Sequence, residues 1–271
     1  MIYRHTLLIR LTHWINLVCL VVLLMSGLAI FNGWPALYWG VRTQFNQPLL
    51  ALYAIQDESG QQVGITDALG HRFVTTGWLG LSPGVDGRPT VRGFPAWATL
   101  PGPLWLALAR RWHFFFAWIF VINGLVYAAY ALFRRHLWRD LTPSRQQLRQ
   151  IGRSAWDHVR LRFPKGDEAR HYNVLQKLSY LVVVFGMGPL IVATGLTMSP
   201  WIDAAYPRLL DIFGGRQSAR TIHFVTAFAF VAFVVIHVLM VLLSGPWNNL
   251  RSMITGRYRI EEPITESRVG E

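Results

Sequence analysis

Four of the nine histidines, His13, His113, His223 and His237, fall within or at the margin of long apolar stretches. An ionisable ring is costly there and is usually kept for function. Taken singly, each could be a buried histidine bonded to a backbone carbonyl. The four gain meaning as a set. His223 and His237 are 14 residues apart; on a helix that spacing separates them by about 40° in direction and about 21 Å in height, so one face carries both rings at two depths. The remaining five, His5, His71, His136, His158 and His171, fall in loops or at interfaces and read as ordinary surface residues.

The elements that must position these rings follow from composition. The chain has 271 residues, 52% hydrophobic and only 15% charged, with a mean hydropathy of +0.30, which is too apolar for an ordinary soluble domain. Four windows, 8–31, 112–133, 174–198 and 219–244, reach the length of about 20 residues that a helix needs to cross a bilayer. The expected architecture is all-α: one integral membrane domain, 1–271, folded as a four-helix bundle. The first window has a basic start like a signal peptide, but SGLAIFNGW offers only a weak cleavage pattern, so it is read as a retained span. The lone Cys19 lies within it as an apolar filler; a single cysteine excludes an internal disulfide, and there is no CxxCH for covalent haem attachment.

A net charge of +12 usually suggests nucleic acid, but the basic residues are distributed relative to the spans. Residues 1–12, the connection 134–177 and the tail hold 17 of the 26. By the positive-inside rule both termini and the middle connection are cytoplasmic, and the first and third connections face outward. The outward insertion 33–104, rich in Trp, Gly and Pro, is expected as short helices and loops over the mouth of the bundle. Within the cytoplasmic basic connection 134–173, TPSRQQLRQIGRSAWDHVRLRF places Arg145, Arg149 and Arg153 on one helical face, an arrangement suited to lying along the inner leaflet against anionic lipid.

With this orientation His13 enters from the inside and His113 from the outside, while the fourth helix runs outside to inside. The rings sort into two level pairs, His13 with His237 and His113 with His223. Two imidazoles facing each other without a third ligand suit an octahedral iron whose equatorial positions are filled by a porphyrin, which is bis-histidine haem b. Zinc would want further Cys, His or carboxylate ligands, and a proton relay would want membrane carboxylates, of which the spans have almost none. Arg10, Arg110 and Arg220 each precede a histidine of the set by three residues, one turn nearer the water, where a guanidinium can hold a propionate; snorkelling at span ends is the competing reading. Gly27, 14 residues after His13, reaches the depth of the outer pair, where it would let a flat macrocycle approach the backbone or simply serve helix packing.

RLTHWIN in the first span, RRWHFFFAW opening the second and RTIHFVTAFAFVAFVVIHVLMVLLSGPWNNLRSMITGRY across the fourth resemble the four-helix di-haem cytochrome b subunits of bacterial respiratory oxidoreductases. That group includes the b-type cytochromes of nickel-iron hydrogenases, formate dehydrogenase gamma subunits and thiosulfate reductase cytochrome b-like proteins. The resemblance implies axial ligands at His13, His113, His223 and His237, and the bacterial inner membrane as location. The insertion with PALYWG and GFPAWATLPG departs from the hydrogenase and formate types; it is similar to cytochromes encoded beside periplasmic molybdopterin oxidoreductases.

The chain holds no candidate nucleophile, metal cluster or nucleotide loop, so the expected role is electron carriage between the quinone pool and a periplasmic, molybdopterin-dependent redox subunit. A quinone needs an apolar cleft with a few polar groups, for which Asn173, Gln176, Lys177, His171, Asn248 and Asn249 are the candidates beside the inner pair. Trp34, Tyr38, Trp39, Trp78 and Trp97 could cover the outer haem or meet a partner, although aromatics collect at interfaces anyway. The competing readings are a stand-alone quinone-coupled oxidase of a diffusible oxidant, a hydrogenase-type conduit, and a haem-free transporter or assembly factor.

Overall fold

The computed structural model describes residues 1–3, 5–134 and 174–259, together with 142, 144, 147, 149, 151, 152, 156 and 160. Helical structure dominates. In chain order the elements are β1 (Ile2–Tyr3), α1 (Leu7–Phe31), β2 (Ala36–Leu37), β3 (Leu50–Gln56), β4 (Gln62–Ala68), β5 (His71–Val74), β6 (Leu81–Pro83), β7 (Pro89–Val91), α2 (Leu106–Phe133), α3 (Val174–Tyr180), a π-helical turn (Leu181–Met187), α4 (Gly188–Thr197), α5 (Pro200–Ala205), α6 (Arg208–Ile212), α7 (Arg216–Leu243), α8 (Pro246–Thr255) and β8 (Arg257–Tyr258). Four stretches are long and apolar enough to cross a membrane: Leu7–Phe31, Leu106–Phe133, Val174–Thr197 and Arg216–Leu243. The second starts at 106 instead of the expected 112, directly after the helix-incompatible run Pro101-Gly102-Pro103. The inner-leaflet helix expected around 145–153 and the candidates His171 and Asn173 lie largely or wholly outside the described residues.

The third span is not a uniform α-helix. Pro189 lacks the N–H that an α-helix would use and its ring crowds the carbonyl four residues earlier. The preceding turn widens to π geometry over Leu181–Met187, and the Gly188 N–H reaches back to the Val183 carbonyl. A π-bulge is a common cause of a change in helix direction.

Two compact units partition the chain, one of residues 1–14, 124–188 and 230–271, the other of residues 15–123 and 189–229. Each takes a part of all four spans. In the first unit, β1 pairs antiparallel with β8, Ile2 opposite Tyr258, which joins the two ends of the described chain. Gly256, at φ +79°, ends α8 in the left-handed conformation that glycine adopts without steric cost.

In the second unit, the expectation of short helices and loops for 33–104 is corrected. The regular structure of this segment is mainly β: a four-stranded antiparallel sheet in the order β2-β3-β4-β5 and a separate hairpin of β6 with β7, with one short 3-10 turn at Ala96–Ala98. The local chemistry explains it. LALYAIQ and QVGITDA pair residue for residue, Leu50 opposite Ala68 and Gln56 opposite Gln62. Between them Asp57 folds the connection by accepting the backbone N–H groups of Ser59 and Gln61, both at 2.9 Å, and the Ser59 hydroxyl; such Asx turns are strong local signals. These bonds hold the Asp57 carboxyl below its ordinary pKa, the Ser59 hydroxyl contributing most. The next turn has two residues, Leu69 at φ +53° and Gly70 at φ +83°, the signs of a type I′ hairpin.

The sheet packs through Leu37 and Leu52 onto Phe31 at the end of α1, with Leu50, Leu79, Phe94 and Phe224 around them. Arg92, only 3% exposed, fastens the return to α2: Nε donates to the Phe94 carbonyl at 2.7 Å, Nη1 to the Gly102 carbonyl at 3.0 Å and Nη2 to the Thr99 hydroxyl at 2.9 Å. Burial pulls its pKa down, and three oriented acceptors hold the charge in place.

Candidate functional site

Each unit contains one histidine pair. In the first, the rings of His13 on α1 and His237 on α7 lie with centroids 6.2 Å apart and planes at 63°. In the second, His113 on α2 and His223 on α7 lie 6.3 Å apart at 61°. Imidazole nitrogen binds a first-row metal at about 2 Å and lies about 1 Å from its own ring centre, so two rings on one metal span about 6 Å between centroids. Both pairs match that span. Among the described residues no cluster of three or more His, Cys, Asp or Glu could hold a metal ion. Two nitrogen donors alone make a poor zinc site, but they are the donor set that a metal already held in a macrocycle requires.

Hydrogen bonding sets the chemistry of the second pair. His223 Nδ1 lies 3.0 Å from the Ile191 carbonyl oxygen, which only accepts, so Nδ1 carries the proton and Nε2 keeps its lone pair. Thr194 Oγ1 is 3.2 Å from the same nitrogen. On the other side Ser26 Oγ lies 3.0 Å from His113 Nδ1 and directs its own proton to the Val22 carbonyl at 2.6 Å. The serine oxygen therefore accepts from Nδ1–H, and His113 Nε2 is likewise bare. Two lone pairs with no proton to share suit a Lewis acid held between them.

Glycine makes these contacts possible. A Cβ at Gly27 would lie 3.4 Å from His113 Cε1, and one at Gly195 would lie 3.2 Å from His223 Cε1. The room left by Gly27 thus admits the His113 ring. Gly195 leaves the same room for His223, and Ser26 and Thr194 supply the hydroxyls beside Nδ1; all three were missed from sequence, because hydroxyl and glycine residues are common in spans as packing devices.

In the first pair, Phe233 stacks on His237 with centroids 5.8 Å apart and planes at 20°. Trp14 meets His13 edge-on at 5.5 Å and donates from Nε1 to the Met253 carbonyl at 3.1 Å. These contacts fix ring orientation by packing.

The three arginines occupy different settings. The Arg10 guanidinium donates to the Ile254 carbonyl, while its buried Nε has no partner among the described residues; a buried unpaired donor is costly unless an anion completes it. Arg110 lies over the Phe114 ring at 5.8 Å. Arg220 donates to the Trp34 carbonyl and sits 5.5 Å above the Phe31 ring. Among the quinone candidates, Gln176 and Lys177 lie on α3, where the Lys177 amine donates to Gln147 at 3.4 Å. Asn248 exchanges bonds with the backbone of Arg259, donating at 2.8 Å and accepting at 2.9 Å, and the Asn249 amide donates to the Ser244 hydroxyl at 2.9 Å; both amides serve the chain's own structure. Of the aromatic candidates Tyr38 is buried, whereas Trp34, Trp39, Trp78 and Trp97 are exposed.

A profile of the prokaryotic cytochrome b561 family matches residues 4–256. A protein of Azospira oryzae named putative protein-methionine-sulfoxide reductase subunit YedZ1 is 36% identical over 162 residues, which cover 60% of this chain and 77% of that protein. No solved structure matches the chain.

Proposed function

Because this chain belongs to the prokaryotic cytochrome b561 family, and so is a membrane haem protein of the b type, we propose that it holds two b haems, one at His13 with His237 and one at His113 with His223, and carries electrons between the quinone pool and a redox protein at the outer surface. One observation supports this reading above all: two imidazole pairs, in separate units, have centroid separations of 6.2 and 6.3 Å, the span that two axial ligands of one iron require. Haem held in this way supplies a reversible one-electron change at iron.

The chain's residues bind and orient the haem. His113 and His223 offer Nε2 while their Nδ1–H groups are held on the protein side. Arg10, whose buried Nε has no partner among the described residues, is assigned to a propionate, as are Arg110 and Arg220. The rings of Phe31, Phe224 and Phe228 pack in series at 4.8 and 4.7 Å, with Phe94 5.8 Å from Phe31, as an apolar cluster in the second unit.

Gln176 and Lys177, with Asn173, are assigned to the quinone oxygens, on the cytoplasmic side given by the distribution of charge. The β segment 33–104 and its exposed tryptophans then face outward toward the redox partner. The A. oryzae protein's name, a subunit of a methionine-sulfoxide reductase, and the resemblance of the insertion to cytochromes that accompany molybdopterin enzymes support a partner of that kind.

The test is electron transfer across vesicles. With the purified protein reconstituted, quinol added to the membrane should reduce a membrane-impermeant acceptor on the face that carries 33–104. His13→Ala and His223→Ala should each abolish that transfer. Transfer that continues in both variants would overturn the reading.

A further inference from the structure

The segments LLMSG (23–27) and IVATG (191–195) sit against different histidines yet repeat one arrangement. In each, a hydroxyl residue precedes a glycine. The hydroxyl turns its proton back on its own helix, Ser26 to Val22 at 2.6 Å and Thr194 to Leu190 at 2.7 Å. Its oxygen then faces a Nδ1, at 3.0 Å for His113 and 3.2 Å for His223. The carbonyl three residues before the hydroxyl completes the cradle, Leu23 toward His113 and Ile191 toward His223. The glycine lets the ring lie within 3.4 and 3.2 Å of where a Cβ would stand. Both hydroxyl side chains are fully buried.

Among the described residues the other pair is held differently: His13 and His237 contact Trp14, Phe233 and each other as rings. The two pairs thus differ in their surroundings while agreeing in separation.

We propose that Ser26 and Thr194 are positioning residues that, together with the carbonyls of Leu23 and Ile191, hold both ligands of one pair in the Nδ1–H tautomer, and that their added bonds to Nδ1–H make that pair the stronger electron donor to its metal. The proposal rests on reading His113 and His223 as axial ligands. A Nδ1–H that donates to oxygen raises the basicity of the opposite nitrogen. More basic ligands favour the oxidised metal, so this site takes the lower of the two reduction potentials through this effect. The duplicated cradle makes the effect additive over the two rings.

The experiment is a potentiometric titration of the purified haem-loaded protein, followed by visible spectra and by the low-spin signals in electron paramagnetic resonance. The variants are Ser26→Ala and Thr194→Val, singly and together, with Ser26→Thr and Thr194→Ser as conservative rescues. Two resolved components in the unmodified protein, one of which is lost in His113→Ala and in His223→Ala, establish the ligand reading before any lock variant is compared. The proposal then expects one component to move to higher potential in each single variant and further in the double, with its resonance signal shifted, the other component fixed, and both rescues near the unmodified value. Two bound haems with unmoved potentials overturn the locks while leaving the ligand reading intact. A shift of both components together, or one that the rescues fail to restore, also overturns them, since general loosening of packing would then be the cause. An unmodified protein without haem instead contradicts the ligand reading itself.

Discussion

At the scale of single residues, the fold brings four histidines into two pairs with ring centroids 6.2 and 6.3 Å apart. His13, His113, His223 and His237 stood out because an ionisable ring in a span needs a reason, and the spacing of 14 put two of them on one face. Gly27 was visible from depth alone, but what it accommodates, the His113 ring, depends on how α1 and α2 meet. Gly195 carried no such clue until its contact was seen. The two glycines differ in a way that can be measured. At Gly195 an added Cβ falls 3.2 Å from a ring carbon, tighter than ordinary contact, and at Gly27 the distance is 3.4 Å. Gly195→Ala should therefore push His223 and lower haem content or alter its spectrum, whereas Gly27→Ala should do so less, and Gly195→Leu should empty that site. Equal effects in the two alanine variants, read from haem-to-protein ratios, would contradict this ordering.

The elements were read well where hydrophobic length decides and poorly where turn chemistry does. Span positions followed from apolar runs alone. The segment 33–104 was misread because its Trp, Gly and Pro content drew attention from LALYAIQ, DESG and QVGITDA, whose alternation and turn residues specify a hairpin. Leu69 tests that hairpin. It holds φ +53° with an exposed side chain, and a left-handed non-glycine residue costs about 1–2 kcal/mol. Leu69→Gly or Leu69→Asn should raise thermal stability, by about 1 kcal/mol at best; a loss would contradict the turn. Arg92→Met should lower stability by roughly 2–3 kcal/mol, because it leaves the Gly102 carbonyl and the Thr99 hydroxyl without their donor and the Phe94 carbonyl with Asn32 as its remaining one, as read by thermal unfolding in detergent. Asp57 supplies a pH dependence of known sign. Its carboxyl is held below the ordinary value, so its contribution is fully present above the unfolded pKa and is lost as pH falls through the folded one. Asp57→Asn should remove that acid-side loss, as followed by unfolding across the acid range.

For the molecule as a whole, the four apolar stretches and the family assignment make a membrane cytochrome, and the orientation proposed from its charge distribution has a test of its own. A reporter fused after the last residue should be active only in the cytoplasm, and one inserted at 57–61 only outside; the reverse result would move the quinone face to the other side. The division into two units, each holding one pair, was not legible in the sequence, because it depends on which halves of the spans pack together. It is also what gives the account its central claim, that each pair is a separate haem site. The most direct measurement is the haem-to-chain ratio of the purified protein and of His13→Ala, His237→Ala, His113→Ala and His223→Ala. The account predicts two haems per chain without substitution and one in every single variant, with the same component lost within a pair and different components lost between pairs. One haem in the unmodified protein, or a variant that keeps both, would contradict it.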